Sequence, residues 1–226
     1  MDSEKALRVD DIFVSLQGES SSVGYPTTFI RLFGCNLKCS YCDQPQDIKN
    51  SKLMTLNEIK WKVAELEIGR VCITGGEPLM QTCWKDLAVL LGRSYSVSIE
   101  TNGCCPIPKW EFPFRPCFVM DVKTPSSGMS EHNIYENMLN LNMADEVKFV
   151  IADEGDLKYS LDYLERFKKD FPSYVIPPKI VFSPVIGDYF KESDRAWART
   201  ISEYLIENKM DYVCLQVQFH KVIGVK

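Results

Sequence analysis

Seven short runs rich in β-branched and aromatic residues recur along the chain: TTFIRLF (27–33), RVCIT (70–74), YSVSIE (95–100), CFVMD (117–121), EVKFVI (146–151), KIVFS (179–183) and YVCLQV (212–217). Runs of this composition read as strands. Longer amphipathic stretches lie between most of them. TLNEIKWKVAEL opens with Thr55 and Glu58 in capping-box spacing, and further helices are predicted over about 82–92, 156–170 and 194–208. Strands alternating with helices indicate an α/β fold with a parallel sheet. A complete eightfold barrel takes about 250 residues, and this chain has 226 with some six strand–helix units. The expected architecture is therefore a partial (β/α)6-type TIM barrel, compact, with amino- and carboxyl-terminal extensions. Residues 103–116, rich in proline and holding Cys104 and Cys105, fit no regular element and are expected to be a loop. No internal repeat, low-complexity tract or Gly/Ser linker divides the chain, so residues 1–226 are expected to form one domain.

About 45% of the residues are apolar, enough for an ample core. No run approaches the roughly 20 apolar residues of a membrane span, and the start MDSEKALRVDD is polar and acidic, so a cytoplasmic location is expected. A formal charge of −5, spread along the chain, gives no footprint for gripping a phosphate backbone, and direct nucleic-acid binding is not expected. Nine cysteines in such a chain suggest reduced thiols and metal ligands rather than a disulfide framework.

Three of those cysteines, Cys35, Cys39 and Cys42, fall within eight residues of GCNLKCSYCD. A closed zinc site or iron–sulfur cluster takes four protein ligands. Three thiolates from one loop therefore suggest a centre with one open position. In barrels of this kind the working groups gather at the carboxyl ends of the strands, and TGGEP (74–78), ETNG (100–103), DVKTPSS (121–127) and SPV (183–185) all stand there. Gly75 and Gly76 would let the backbone approach a ligand closely. Arg31 alternates with Ile30 and Leu32 and so faces away from them. If that face is the barrel interior, its charge needs a partner: a substrate carboxylate, or Glu19 or Glu100 as a structural ion pair.

CxxxCxxC followed by GGEP resembles the radical S-adenosylmethionine (SAM) superfamily. More narrowly, SLQGES (15–20), Gly24, Arg31, GCNLKCSYCD, TGGEP, ETNG, DVKTPSSG, EVKFVI, SPV and LQVQFHKVIGV resemble the 7-carboxy-7-deazaguanine synthases. The resemblance implies a barrel of the radical SAM kind, and a four-iron four-sulfur cluster on Cys35, Cys39 and Cys42 whose remaining iron binds SAM. It implies conversion of 6-carboxy-5,6,7,8-tetrahydropterin to 7-carboxy-7-deazaguanine with loss of ammonia, a carbon–nitrogen lyase step towards queuosine and other 7-deazapurines. An external electron donor of the flavodoxin or ferredoxin type and a homodimer are implied too. Leu16, Gln17, Gly18, Arg31, Thr74 and Lys226 would surround the pterin, with Glu19 and His220 as candidates beside them. Tyr41, Cys42, Asp43, Gly76, Asp121, Val122, Lys123 and Ser183 would surround SAM, and Glu100 would hold its ribose hydroxyls. Members of that family usually follow the third cysteine with Asp then Thr or Ser, whose hydroxyl helps bind magnesium. Here Gln44 follows Asp43, so Gln44 is the candidate Mg2+ ligand through its amide oxygen and the need for the ion is open.

Lys148 reads as a solvated strand residue and stays outside the expected site. Two alternatives remain: another small radical SAM enzyme such as a glycyl-radical activase, and a non-catalytic metal protein with Cys72 as a fourth zinc ligand.

Overall fold

The computed structural model describes residues 5–44, 51–171, 176–187 and 190–225. These form one sheet of nine strands: β1 (Ala6–Leu16), β2 (Pro26–Leu32), β3 (Lys52–Thr55), β4 (Arg70–Gly75), β5 (Ser96–Thr101), β6 (Cys117–Val122), β7 (Glu146–Ile151), β8 (Lys179–Pro184) and β9 (Val213–Leu215). The spatial order is β3-β1-β2-β4-β5-β6-β7-β8-β9. From β2 to β9 every neighbouring pair is parallel, as the alternation predicts. At the other edge β1 pairs antiparallel with both β2 and β3. The end strands β3 and β9 do not pair, so the barrel is partial.

Helices α1 (Leu56–Glu65), α2 (Trp84–Gly92), α4 (Glu154–Asp170) and α5 (Glu192–Glu207) match the four predicted ones, with α3 (Glu136–Leu139) and α6 (Phe219–Ile223) as short additions. The capping box closes as expected: Glu58 N donates to Thr55 Oγ1 at 3.2 Å, and Thr55 N donates to Glu58 Oε2 at 2.7 Å. Two crossovers lack a long helix. The β5–β6 connection is irregular where its prolines remove backbone donors. Buried Asn137, from α3, holds it by donating to the Gly103 and Cys105 carbonyls at 2.9 and 2.8 Å.

Register decides which side chains build the core and which build the site. Ile30, Ile73, Ile99 and Phe118 stand in one row across four strands, each wholly buried beneath the helices. One residue further along, the side chains face the barrel interior. That step pairs Arg31 with Thr74 and Glu100 with Val119, and two residues beyond Val119, on the same side, Asp121 pairs with Lys148.

The connection from β1 to β2 crosses the amino end of the barrel as a floor. It leaves β1 where Leu16 pairs with Pro26, and Gln17 is pinned to Tyr25 and Gly24 by backbone bonds of 2.9 and 2.8 Å. It then reaches the far wall. Ser20 N donates to Gln216 at 2.7 Å, Ser21 N donates to Glu146 at 2.7 Å, and the Gly18 carbonyl accepts from Phe219 N at 2.9 Å. Glycine at position 18 leaves room for His220, whose Nδ1 would lie 1.8 Å from a Cβ there.

Candidate active site

Above the floor, at the carboxyl ends of the strands, lies a cavity of about 260 Å³. Cys35, Cys39 and Cys42 line it from the loop after β2, together with Tyr41, Asp43 and Gln44. The glycine pair seats that loop. Glu77 N donates to Gly34 O at 2.8 Å and Gly76 N to Leu32 O at 3.1 Å. A Cβ on Gly76 would come within 2.0 Å of Gly34 O, and one on Gly75, whose φ is +132°, within 2.0 Å of Leu32 O. The close approach expected of these glycines is thus made to the cysteine loop. Glu77 locks the arrangement from behind: wholly buried, it accepts from Leu79 N, Thr101 Oγ1 and Asn102 N at 2.9, 2.8 and 2.6 Å.

The three thiols share the cavity without converging. Among the described residues no three Cys, His, Asp or Glu side chains stand at metal-ligating spacing. Instead Asn102 Nδ2 lies 3.7 Å from Cys35 Sγ, and Cys42 Sγ faces the Gln44 carbonyl at 3.8 Å. Burial raises the Cys39 thiol above its usual pKa. The donor set nevertheless suits an iron–sulfur cluster, with three thiols of one short loop turned into one cavity and none tied up in a disulfide. Other thiols do not compete. Cys72 is wholly buried in β4, against the zinc alternative, and burial pushes Cys104 and Cys105 up to about 12 and about 11.

Opposite the thiols the cavity wall is charged. Asp121 Oδ2 takes Lys123 Nζ at 2.7 Å and its Oδ1 takes Lys148 Nζ at 3.1 Å, while Lys148 also bonds Glu19. Gln218 Nε2 donates to the other Glu19 oxygen at 2.6 Å. Burial works against both carboxylates, yet Lys123 and Lys148 hold Asp121, and Lys148 holds Glu19, below the usual carboxylate range. Lys148 is therefore a buried hub of the site, which corrects its reading as a solvated residue. Its place in a short strand gave no sign of this, because both partners come from distant segments.

Glu100 accepts from Gln17 Nε2 at 3.1 Å and from Thr74 Oγ1 at 2.7 Å, fixing two of the expected pterin contacts at once. Neither Glu100 nor Glu19 pairs with Arg31, so of the two alternatives for its charge the structural ion pair is absent among the described residues. The Arg31 guanidinium sits 5.4 Å from the centre of the Phe13 ring with its Nε buried and without a hydrogen-bond partner. Leu16, Gly18 and His220 complete the side nearest the floor. Burial lowers the His220 imidazole below its usual value, against the pull of Glu19. Lys221 reaches Asp43 at 3.2 Å and the Ile186 carbonyl at 2.9 Å, tying the last helix to the cysteine loop. Two expected contacts do not reach the cavity, because Val122 packs in the core and Ser183 is buried within β8. Lys226 lies outside the described residues.

Residues 29–111 match the model of the radical SAM superfamily. A 7-carboxy-7-deazaguanine synthase of Methanospirillum hungatei is 37% identical, over 97% of this chain and 86% of its own. A protein of the same name from Clostridium acetobutylicum is 36% identical, over 96% and 95%. The chain belongs to the 7-carboxy-7-deazaguanine synthase family. The crystal structure of QueE from Escherichia coli has the same fold, with a TM-score of 0.68 at 20% identity over 95% of each chain. Membership of the family brings with it the four-iron four-sulfur cluster and SAM.

Proposed function

We propose that this chain converts 6-carboxy-5,6,7,8-tetrahydropterin to 7-carboxy-7-deazaguanine with loss of ammonia. The observation that carries this reading is Arg31, half-buried, its Nε buried without a hydrogen-bond partner and its guanidinium without an anionic partner among the described residues, in the same cavity as the three thiols. A guanidinium in that state is matched by a carboxylate, which it can bind through two parallel bonds. Glu100 presents Gln17 and Thr74 beside it, and Gln17 offers both donor and acceptor to a lactam edge. Leu16, Gly18, Glu19 and His220 close the pterin side, with Lys226 expected from the carboxyl end.

Cys35, Cys39 and Cys42 would hold the cluster, and Tyr41, Asp43, Gly76, Asp121 and Lys123 would border SAM. When bound, cluster and SAM supply a 5′-deoxyadenosyl radical that takes hydrogen from the substrate. The protein's own part is placement. The Lys123–Asp121–Lys148–Glu19 chain fixes charges of both signs so that they need not rearrange during reaction. Gln44 Oε1, a buried acceptor without a hydrogen-bond partner at the cavity, is suited to ligate Mg2+ in place of the family's hydroxyl. The enzyme takes its electron from an external flavodoxin or ferredoxin, and works as a cytoplasmic homodimer of single-domain subunits. No helix among the described residues is long and apolar enough to cross a membrane.

An anaerobic assay of the reconstituted protein with SAM, reductant and the pterin, followed by mass, tests the reading. Product is expected from the wild type and not from Cys42→Ala. Cleavage of SAM without 7-carboxy-7-deazaguanine would overturn the substrate assignment.

A further inference from the structure

Beneath the floor lies a second cavity, of about 290 Å³. Its walls are the first residues of successive strands, Arg70, Ser96, Cys117, Glu146 and Lys179, and Ser20 to Ser22 of the floor roof it. Nothing in the proposed reaction uses it. Glu146 is the group there that the fold does not account for. It is only 4% exposed, its Oε1 accepts from Ser21 N at 2.7 Å, and its Oε2 is buried with no hydrogen-bond partner among the described residues. A buried carboxylate oxygen calls for a donor or a cation.

The two cations on the same walls do not bond Glu146 Oε2. The Arg70 guanidinium lies 4.4 Å from the centre of the Tyr25 ring, and Lys179 Nζ donates to Ser21 Oγ at 3.0 Å. Asp145, next in the chain, is matched by Arg115 at 2.6 and 2.7 Å. Burial, and after it the charges of Glu146 and Asp145, push the Cys117 thiol up to about 12. The remaining lining includes Thr27, Ser96 and Ser98, whose hydroxyls offer lone pairs but no charge. One free carboxylate oxygen among hydroxyls suits a single positive charge. A divalent ion draws on several carboxylates.

We propose that the lower cavity binds a small monovalent cation at Glu146 Oε2, and that its natural occupant is ammonium. An ammonium ion can donate to the carboxylate and the hydroxyls together. Gln17 lines both cavities, so the lower one lies a single side chain from the place where ammonia is released. The choice of ammonium rests on the reaction proposed above, whereas the cation site does not.

Thermal unfolding of the anaerobically purified, cluster-loaded enzyme in ammonium, potassium, sodium or choline chloride at equal ionic strength tests the site without reading activity. A saturable rise of about 2–4 °C in ammonium over choline is expected at several times the dissociation constant. It should vanish in Glu146→Gln, which keeps an oxygen for Ser21 N but loses the charge. Should that variant fail to fold, Ser98→Ala takes its place, with half-saturation by ammonium moved several-fold upward. Equal midpoints in all four salts overturn the site, and a response to potassium or sodium without ammonium overturns the occupant. Failure of the proposed reaction would show separately, as missing product in the mass assay.

Discussion

Arg115 and Arg31 stand at opposite ends of the same barrel and meet opposite surroundings. At the amino end Arg115 clasps Asp145 through both nitrogens, at 2.7 and 2.6 Å, and the same carboxylate accepts from Phe118 N and Asn142 N, each at 2.9 Å. At the carboxyl end Arg31 lies beside an aromatic ring with its Nε unmatched. Burying a charge with every lone pair answered fixes a chain segment, here the approach to β6 and β7. Leaving one buried and unanswered costs stability unless a ligand arrives. The contrast separates charge that serves the fold from charge held ready for chemistry.

Arg115→Ala should show the largest effect on stability. Asp145, its side chain wholly buried, would lose its counter-charge, and breaking such a pair costs about 3–5 kcal/mol. Urea unfolding should register this loss while turnover per folded molecule is kept. A loss below about 1 kcal/mol, the worth of a surface pair, would erase the contrast. Arg31→Ala should do the reverse. The urea midpoint does not fall, and kcat/KM for the pterin falls about 10–150-fold, as for a lost hydrogen bond to a charged group. Destabilisation of the size expected for Arg115 would break the comparison.

Gly76→Ala sharpens it by disturbing the thiols without touching a charge. The added methyl meets Gly34 O at 2.0 Å, and overpacking of this kind costs about 1–3 kcal/mol. Iron bound per chain after reconstitution should fall below that of the wild type, and full loading would show that the cysteine loop yields without harm.

The smallest effect concerns acid. Glu19 and Asp121 are held below their usual values of 4.5 and 3.8. The unfolded chain therefore takes up protons first as pH falls. The stability they contribute is complete above about pH 4.5 and is lost as pH drops through the folded values. Lys148→Met removes a counter-charge from both carboxylates and should flatten that acid limb in unfolding curves recorded from pH 6 to 3. An unchanged limb would show that Lys148 does not hold them.

What was legible in the sequence was local. Strands β2 and β4 to β9 announce themselves by β-branched runs, α1 by its capping box, and the cysteine loop by its spacing. Strand β1 did not, because Asp10 and Asp11 break its alternation at the point where its register with β2 shifts. Four-residue β3 is too short to carry a pattern. Most of the site's residues could be named from family motifs, but the bonds among them could not. Lys148 meets Glu19 from 129 positions away, and Glu100 meets Gln17 from 83. Such pairs are set by which strands the barrel brings face to face, and no local pattern encodes that. Val122 packs in the core while its neighbour Asp121 lines the cavity, because successive residues of a strand take opposite sides.

The floor also sets a timetable for the newborn chain. Its anchors to the far wall join Ser20 to Gln216, 196 positions on, and Glu19 to Gln218, 199 positions on. At a synthesis rate of about 5–20 residues per second, the second half of each bond appears about 10–40 s after the first. The sheet can grow outward from β2 during that interval, but the floor is not tied to the far wall at Gln216 and Gln218 until those residues are made. Iron, SAM and substrate therefore meet a fully tied floor only after Gln216 and Gln218 have been made.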